Sequence, residues 1–164
     1  MNGFRYVVTE EEDGKQLKNI IRRQFRFSSR LMTKVKKHEC AYINGENLPG
    51  WVIAHTGDII EVFLPEEKSD FPPQDIPIDV LYEDETLLII NKQPGYTVHP
   101  TKGHPDNTIA NGVMKYMLER GDSYKIRFIN RLDMDTSGVL VIGKDSHSQD
   151  SFMKQMKEGG TEKR

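Results

Sequence analysis

A single cysteine, Cys40, stands in 164 residues, so no internal disulfide can form. None of His38, His55, His99, His104 and His147 lies at ligand spacing from a second cysteine, and no metal site is expected. No apolar run approaches the roughly 20 residues of a membrane-spanning helix. The opening Met1-Asn2-Gly3-Phe4-Arg5-Tyr6 lacks the apolar core of a secretory signal, so the cytoplasm is the expected compartment. Glycine patterns for a dinucleotide or a nucleotide triphosphate are also missing, and no cofactor is expected.

Acidic residues are absent from positions 15 to 37, where nine basic ones fall. Between Asp58 and Glu85 the balance reverses, with ten acids and Lys68 as the lone base, so the net charge of -2 hides a segregation of sign. In the basic block Leu17, Ile20, Ile21 and Phe25 recur at helical spacing, while Lys18, Arg22, Arg26 and Arg30 step by four along another side. Ser28-Ser29 offers an N-cap for a second short helix carrying Leu31 and Val35, with Lys34, Lys36 and Lys37 towards its end. Like charges four apart repel, which a polyanion would relieve; the competing reading is a solvated basic face. Arg22, Arg23, Arg26, Arg30, Lys34, Lys36 and Lys37 are therefore candidate RNA-binding residues.

Ala41-Tyr42-Ile43 then runs into Asn44-Gly45, a tight-turn pair, and Gly57-Asp58 precedes the strand-like Ile59-Ile60-Glu61-Val62-Phe63. Pro65, Pro72, Pro73 and Pro77 mark a linker, placed at residues 67–75. A second region, 76–164, opens with strands at Val80-Leu81-Tyr82 and Thr86–Ile90. Thr108 caps a helix closed by Gly121, with Ile109, Val113, Tyr116 and Met117 on one stripe. A final helix is expected from about Ser148 to Glu158.

Between two strand-like segments, Ile126–Ile129 and Val139–Ile142, lies Arg131-Leu132-Asp133-Met134-Asp135-Thr136-Ser137-Gly138. In extended backbone Arg131 and Asp133 point the same way, which would set a guanidinium near an ionised carboxylate able to act as nucleophile or base. The alternative is a hairpin tip whose Asp and Ser cap their own backbone.

This octapeptide resembles the Arg-Leu-Asp-x-x-Thr-Ser-Gly signature of the RluA-type RNA pseudouridine synthases. Upstream, Leu88-Ile89-Ile90-Asn91-Lys92-Gln93-Pro94-Gly95-Tyr96-Thr97-Val98-His99-Pro100 is similar to that family's strand followed by Lys-x-x-Gly-x-x-Val-His-Pro. The resemblance implies Asp133 as the catalytic carboxylate, Arg131 as a substrate-binding residue, and Lys92, His99, Asn130, Thr136 and Ser137 as pocket candidates. Asn130 stands where the family often has His. Residues 14–64, with Ile-Asn-Gly and Gly-Asp-Ile-Ile, resemble the alpha-L RNA-binding domain named after ribosomal small-subunit protein four.

The resemblances together imply an α+β protein in two parts. An N-terminal region, 1–66, holds an alpha-L-type domain, and 76–164 forms the first part of a mixed, mainly antiparallel catalytic domain. Glu162-Lys163-Arg164 resembles the point just before a family motif bearing a tyrosine. The expectation is a C-terminally truncated chain with little or no activity of its own. The reaction expected is isomerisation of uridine to pseudouridine in RNA, ribosomal RNA by family, with no cofactor, metal or membrane involved. Two other readings stay open: a non-catalytic RNA-binding remnant, and a dimeric aspartic protease working through Asp135.

Overall fold

The computed structural model describes residues 3–159, which divide into two compact units with the boundary between Glu66 and Glu67. Both carry an antiparallel sheet with helices, a mixed α/β arrangement.

In the first unit, strand β1 (Gly3–Val7) leads through a 3-10 turn, Glu10–Glu12, into helices α1 (Leu17–Gln24) and α2 (Ser29–Lys37). Strands β2 (Ala41–Ile43), β3 (Glu46–Asn47) and β4 (Ile59–Phe63) complete a sheet in the order β1-β4-β2-β3. Leu17, Ile20 and Ile21 of α1 and Leu31 and Val35 of α2 are buried with Ile60 and Val62 of β4, so the apolar stripes read from the sequence are the packing faces. The Asn44–Gly45 turn has positive φ at both residues (53° and 84°), as a two-residue hairpin needs. The Asn44 side chain adds a second anchor: its amide donates to Asp58 Oδ1 and its Oδ1 accepts from the N–H of Ile59.

The stripe of Lys18, Arg22, Arg26 and Arg30 is not continuous, because α1 ends at Gln24. Arg26 takes a left-handed backbone (φ 52°), and Phe27 turns inward, 2% exposed, against Phe4. Ser28 then caps α2, its Oγ accepting from the N–H of Leu31. Burying one aromatic ring outweighs extending a helix by two residues.

The second unit orders its strands β5-β6-β8-β7, where β5 is Asp79–Glu83, β6 Leu87–Lys92, β7 Arg127–Phe128 and β8 Gly138–Gly143. Helix α3 (Ile109–Glu119) lies between β6 and β7 in sequence and α4 (Ser146–Lys157) follows β8. Ile109, Val113 and Met117 of α3 share a core with Leu88, Ile90, Leu140 and Ile142 of the central strands. Helix α4 begins two residues before the expected Ser148, since Asp145 accepts from the N–H groups of His147 and Ser148.

Residues 67–75, the expected linker, contain no helix or strand, yet they are fastened along the second unit. Arg127 Nη2 donates to Glu67 Oε2 at 2.6 Å, the Ile126 N–H to Ser69 Oγ, and Asn111 Nδ2 to the Pro72 carbonyl. Phe71 packs on the second core. Proline excludes this stretch from a sheet but not from side-chain anchoring.

Among the described residues no helix is long and apolar enough to cross a membrane, and no cluster of His, Cys, Asp and Glu is placed to hold a metal ion.

Candidate active site

The antiparallel pairing of β6 with β8 sets Lys92, the last residue of β6, opposite Gly138, the first of β8. The octapeptide loop therefore enters β8 beside the end of β6. Alternation along β6 turns Lys92 to the same side as Leu88 and Ile90, and its side chain is fully buried, 0% exposed. An ammonium there must find acceptors. Lys92 Nζ lies 3.1 Å from the carbonyl oxygen of Asp133, 2.9 Å from that of Met134, 2.8 Å from that of Thr136 and 3.1 Å from that of Gln93. Burial lowers the Lys92 pKa, and the negative charges of Asp135 and Asp133 act against that shift.

The loop is thus held through its backbone while its side chains stay outside. The Thr136 N–H donates to the Asp133 carbonyl at 3.1 Å, closing a turn, and the Gly95 N–H donates to the Met134 carbonyl at 2.9 Å. Arg131, Asp133, Asp135, Thr136 and Ser137 are exposed, whereas Leu132 packs against the core.

The expected approach of the Arg131 guanidinium to the Asp133 carboxylate is not found: the two side chains form no ion pair. Two exposed charges gain little from pairing in water, so little draws them together. The charge of Asp133 acts instead on the buried Lys92.

Asn130 extends the β7–β8 ladder by side chain rather than by backbone. Its Nδ2 donates to the Val139 carbonyl, and its Oδ1 accepts from the Val141 N–H at 2.9 Å. Asn130 is thereby a hairpin fastener beside the loop. His99 stands edge-on to Phe128, with ring centroids 4.7 Å apart, and to Phe71 at 6.2 Å. Burial lowers its pKa, with the nearby Arg131 charge as a smaller contribution. Lys92, His99, Asn130 and the loop consequently form one cluster in the second unit, built on β6, β7 and β8.

The seven basic candidates all lie on the first unit. Arg22, Arg23, Arg26, Arg30, Lys36 and Lys37 are exposed and Lys34 is half-buried. Arg22 Nη2 donates to Ser29 Oγ at 2.9 Å, tying α1 to the start of α2.

Sequence reasoning missed the aromatic cage of His99, made by residues 28 and 29 positions away, and the anchoring of Arg127 on Glu67. It found Lys92 without its role. The two-residue period of β6 was the available signal, since it places position 92 in the inward row with 88 and 90.

Residues 86–164, from the start of β6 onward, match the family model described as RNA pseudouridylate synthase. The chain is 34% identical over 140 residues to the uncharacterized RNA pseudouridine synthase YjbO of Bacillus subtilis, covering 84% of this chain and 50% of that protein. With the B. subtilis protein YhcT, of the same description, it shares 31% identity over 143 residues, 87% of this chain and 47% of the relative. Ribosomal large subunit pseudouridine synthase D of Escherichia coli is 40% identical over 91 residues, 56% of this chain and 28% of that protein. The chain thus spans about half, or less, of the length of these relatives. The family and the relatives bear the names of RNA pseudouridine synthases, which are isomerases.

Proposed function

We propose that this chain is part of an RNA pseudouridine synthase of the RluA type, with Asp133 as its catalytic carboxylate and ribosomal RNA as its substrate. The observation that carries the proposal is the backbone clamp of Lys92 on the Asp133–Thr136 turn. A buried cation fixes the main chain and leaves the carboxylate of Asp133 in solvent, where a substrate can reach it.

The reaction breaks the bond between ribose C1′ and N1 of uracil, turns the ring and joins C1′ to C5. The proton on C5 leaves, N1 gains one, and nothing is oxidised or reduced. As the first bond breaks, the sugar acquires cationic character at C1′. An aspartate captures or stabilises such a centre as carboxylates do in glycoside hydrolysis. The target uridine must be everted, at a cost of a few kcal/mol, and the exposed Arg131 guanidinium suits the space it vacates. His99, Phe128 and Phe71 supply an apolar wall beside Arg131.

The first unit, in this proposal, is an alpha-L-type RNA-binding domain. Its two consecutive helices carry basic charge with no acid across positions 15–37, and a tight hairpin follows them. Non-specific phosphate contacts of this kind supply salt-dependent affinity.

The test is chemical labelling of pseudouridine in ribosomal RNA incubated with the full-length gene product. Labelled positions that are absent from untreated RNA support the proposal. A folded protein that binds RNA and yields none overturns it.

A further inference from the structure

The first unit contains a groove of about 660 Å³ between its helices and the segment following β3. Its wall includes Met32, Leu48, Pro49 and Trp51, with Lys18 and Lys36 on the lining; Glu39 is the one acid among the lining residues. Trp51 is 68% exposed, an unusual state for the largest apolar side chain.

This exposure is built into the fold. The turn at 49–52 closes by the Val52 N–H donating to the Pro49 carbonyl at 3.0 Å. The first turn of α1 then holds it, the Leu17 N–H donating to the Val52 carbonyl at 2.8 Å and the Lys18 N–H to the Gly50 carbonyl at 2.9 Å. The contact is so close that a Cβ at Gly50 would meet Lys18 Cβ at 3.0 Å, which glycine avoids. Helix α1 thereby satisfies two N-terminal N–H groups and fixes the backbone that presents the indole.

We propose that this groove binds an unpaired RNA nucleotide, its base stacked on the Trp51 indole and its flanking phosphates met by Lys18 and Lys36. The inference rests on the reading of the first unit as RNA-binding and adds the site and form of the ligand. Stacking on an aromatic face suits any base, and phosphates require cations. A volume of this size lies within the roughly 300–1,000 Å³ range of small-ligand sites, with room for a base and its sugar. Charge favours a polyanion over an ordinary peptide: α1 and α2, which frame the groove, bear no carboxylate, and on the lining Glu39 is the one acid beside Lys18 and Lys36. Base-paired RNA, whose bases are stacked on each other, would leave the indole uncovered.

Trp51 is the one tryptophan of the chain, so tryptophan emission, excited apart from the six tyrosines, reports this groove. The chain is titrated with a single-stranded ten-nucleotide RNA, with the same backbone lacking its central bases, and with a blunt duplex. The expected result is quenching by the intact single strand only. Trp51→Ala should weaken single-strand binding about 5- to 100-fold, with Trp51→Phe recovering most of it and the abasic strand unaffected. Single-strand binding with unchanged emission and unchanged Trp51→Ala affinity overturns the groove while leaving the RNA reading intact. Absence of binding to any of the three RNAs overturns both. A concentration-dependent emission shift without RNA, from a second copy seated in the groove, also overturns the inference.

Discussion

The ammonium of Lys92 and the main-chain carbonyl of Asp133, 3.1 Å apart, join the end of a central strand to the loop that presents the Asp133 carboxylate. With the Met134 and Thr136 carbonyls sharing the same ammonium, the position of the carboxylate depends on a fully buried side chain. Under the proposed function, Lys92 is a positioning residue for Asp133. Lys92→Met should keep the volume of the stem but leave carbonyls without their donor, destabilising the protein by about 2–4 kcal/mol. Thermal melting reads that loss. Under the proposed function, steady-state kinetics of the full-length protein should show kcat reduced and KM little changed, because the carboxylate is displaced while the proposed RNA-binding surface of the first unit is not.

His99 should make stability sensitive to mild acid. Its folded pKa lies below the ordinary 6.5, from burial and the Arg131 charge, so below pH 6.5 the unfolded chain takes up a proton that the folded chain resists. Stability is therefore fully retained above 6.5 and falls as pH drops from there towards the folded value. His99→Phe, which preserves an aromatic ring against Phe128 and Phe71, should flatten this part of the pH–stability curve in urea denaturation.

Glu67 and Arg127 are 60 positions apart and meet at 2.6 Å, with the Arg127 side chain 8% exposed. Glu67→Gln removes the charge partner of a buried guanidinium and should cost about 1–3 kcal/mol. Limited proteolysis should then cut within residues 67–75 faster than in the parent, because the strap has lost its first anchor.

RNA affinity should respond to salt in proportion to the basic helices. Replacing Arg22, Arg23 and Arg30 together by Gln should lower the slope of log K against log salt by about 2, at roughly 0.7 per lost single-strand phosphate contact. Filter binding across a salt series measures it, with the melting temperature as a control for the lost Arg22–Ser29 hydrogen bond.

Local signals were legible in the chain. Asn44-Gly45 announced its turn, Ser28 and Thr108 their helix caps, and the apolar stripes of α1, α2 and α3 their buried faces. What escaped depends on contacts distant in sequence. The end of α1 at Gln24 follows from Phe27 reaching the core against Phe4, and the strap at 67–75 from Arg127 and Ser69. In the site, Arg131 and Asp133 share a loop without an ion pair, since solvent screening leaves local spacing with no energetic force. The buried Lys92 was readable by strand parity alone, yet the four carbonyls around it come from two segments that only β6–β8 pairing brings together.

Release of tritium from RNA carrying uridine labelled at C5 is the most direct measurement of the central claim, because the proposed reaction must expel that proton. The full-length protein should release tritium to water, Asp133→Asn should reduce the rate by several orders of magnitude, and Asp135→Asn should leave most of it. Equal rates for the Asp133→Asn variant and the parent, with both folded and binding RNA alike, would contradict the assignment of Asp133.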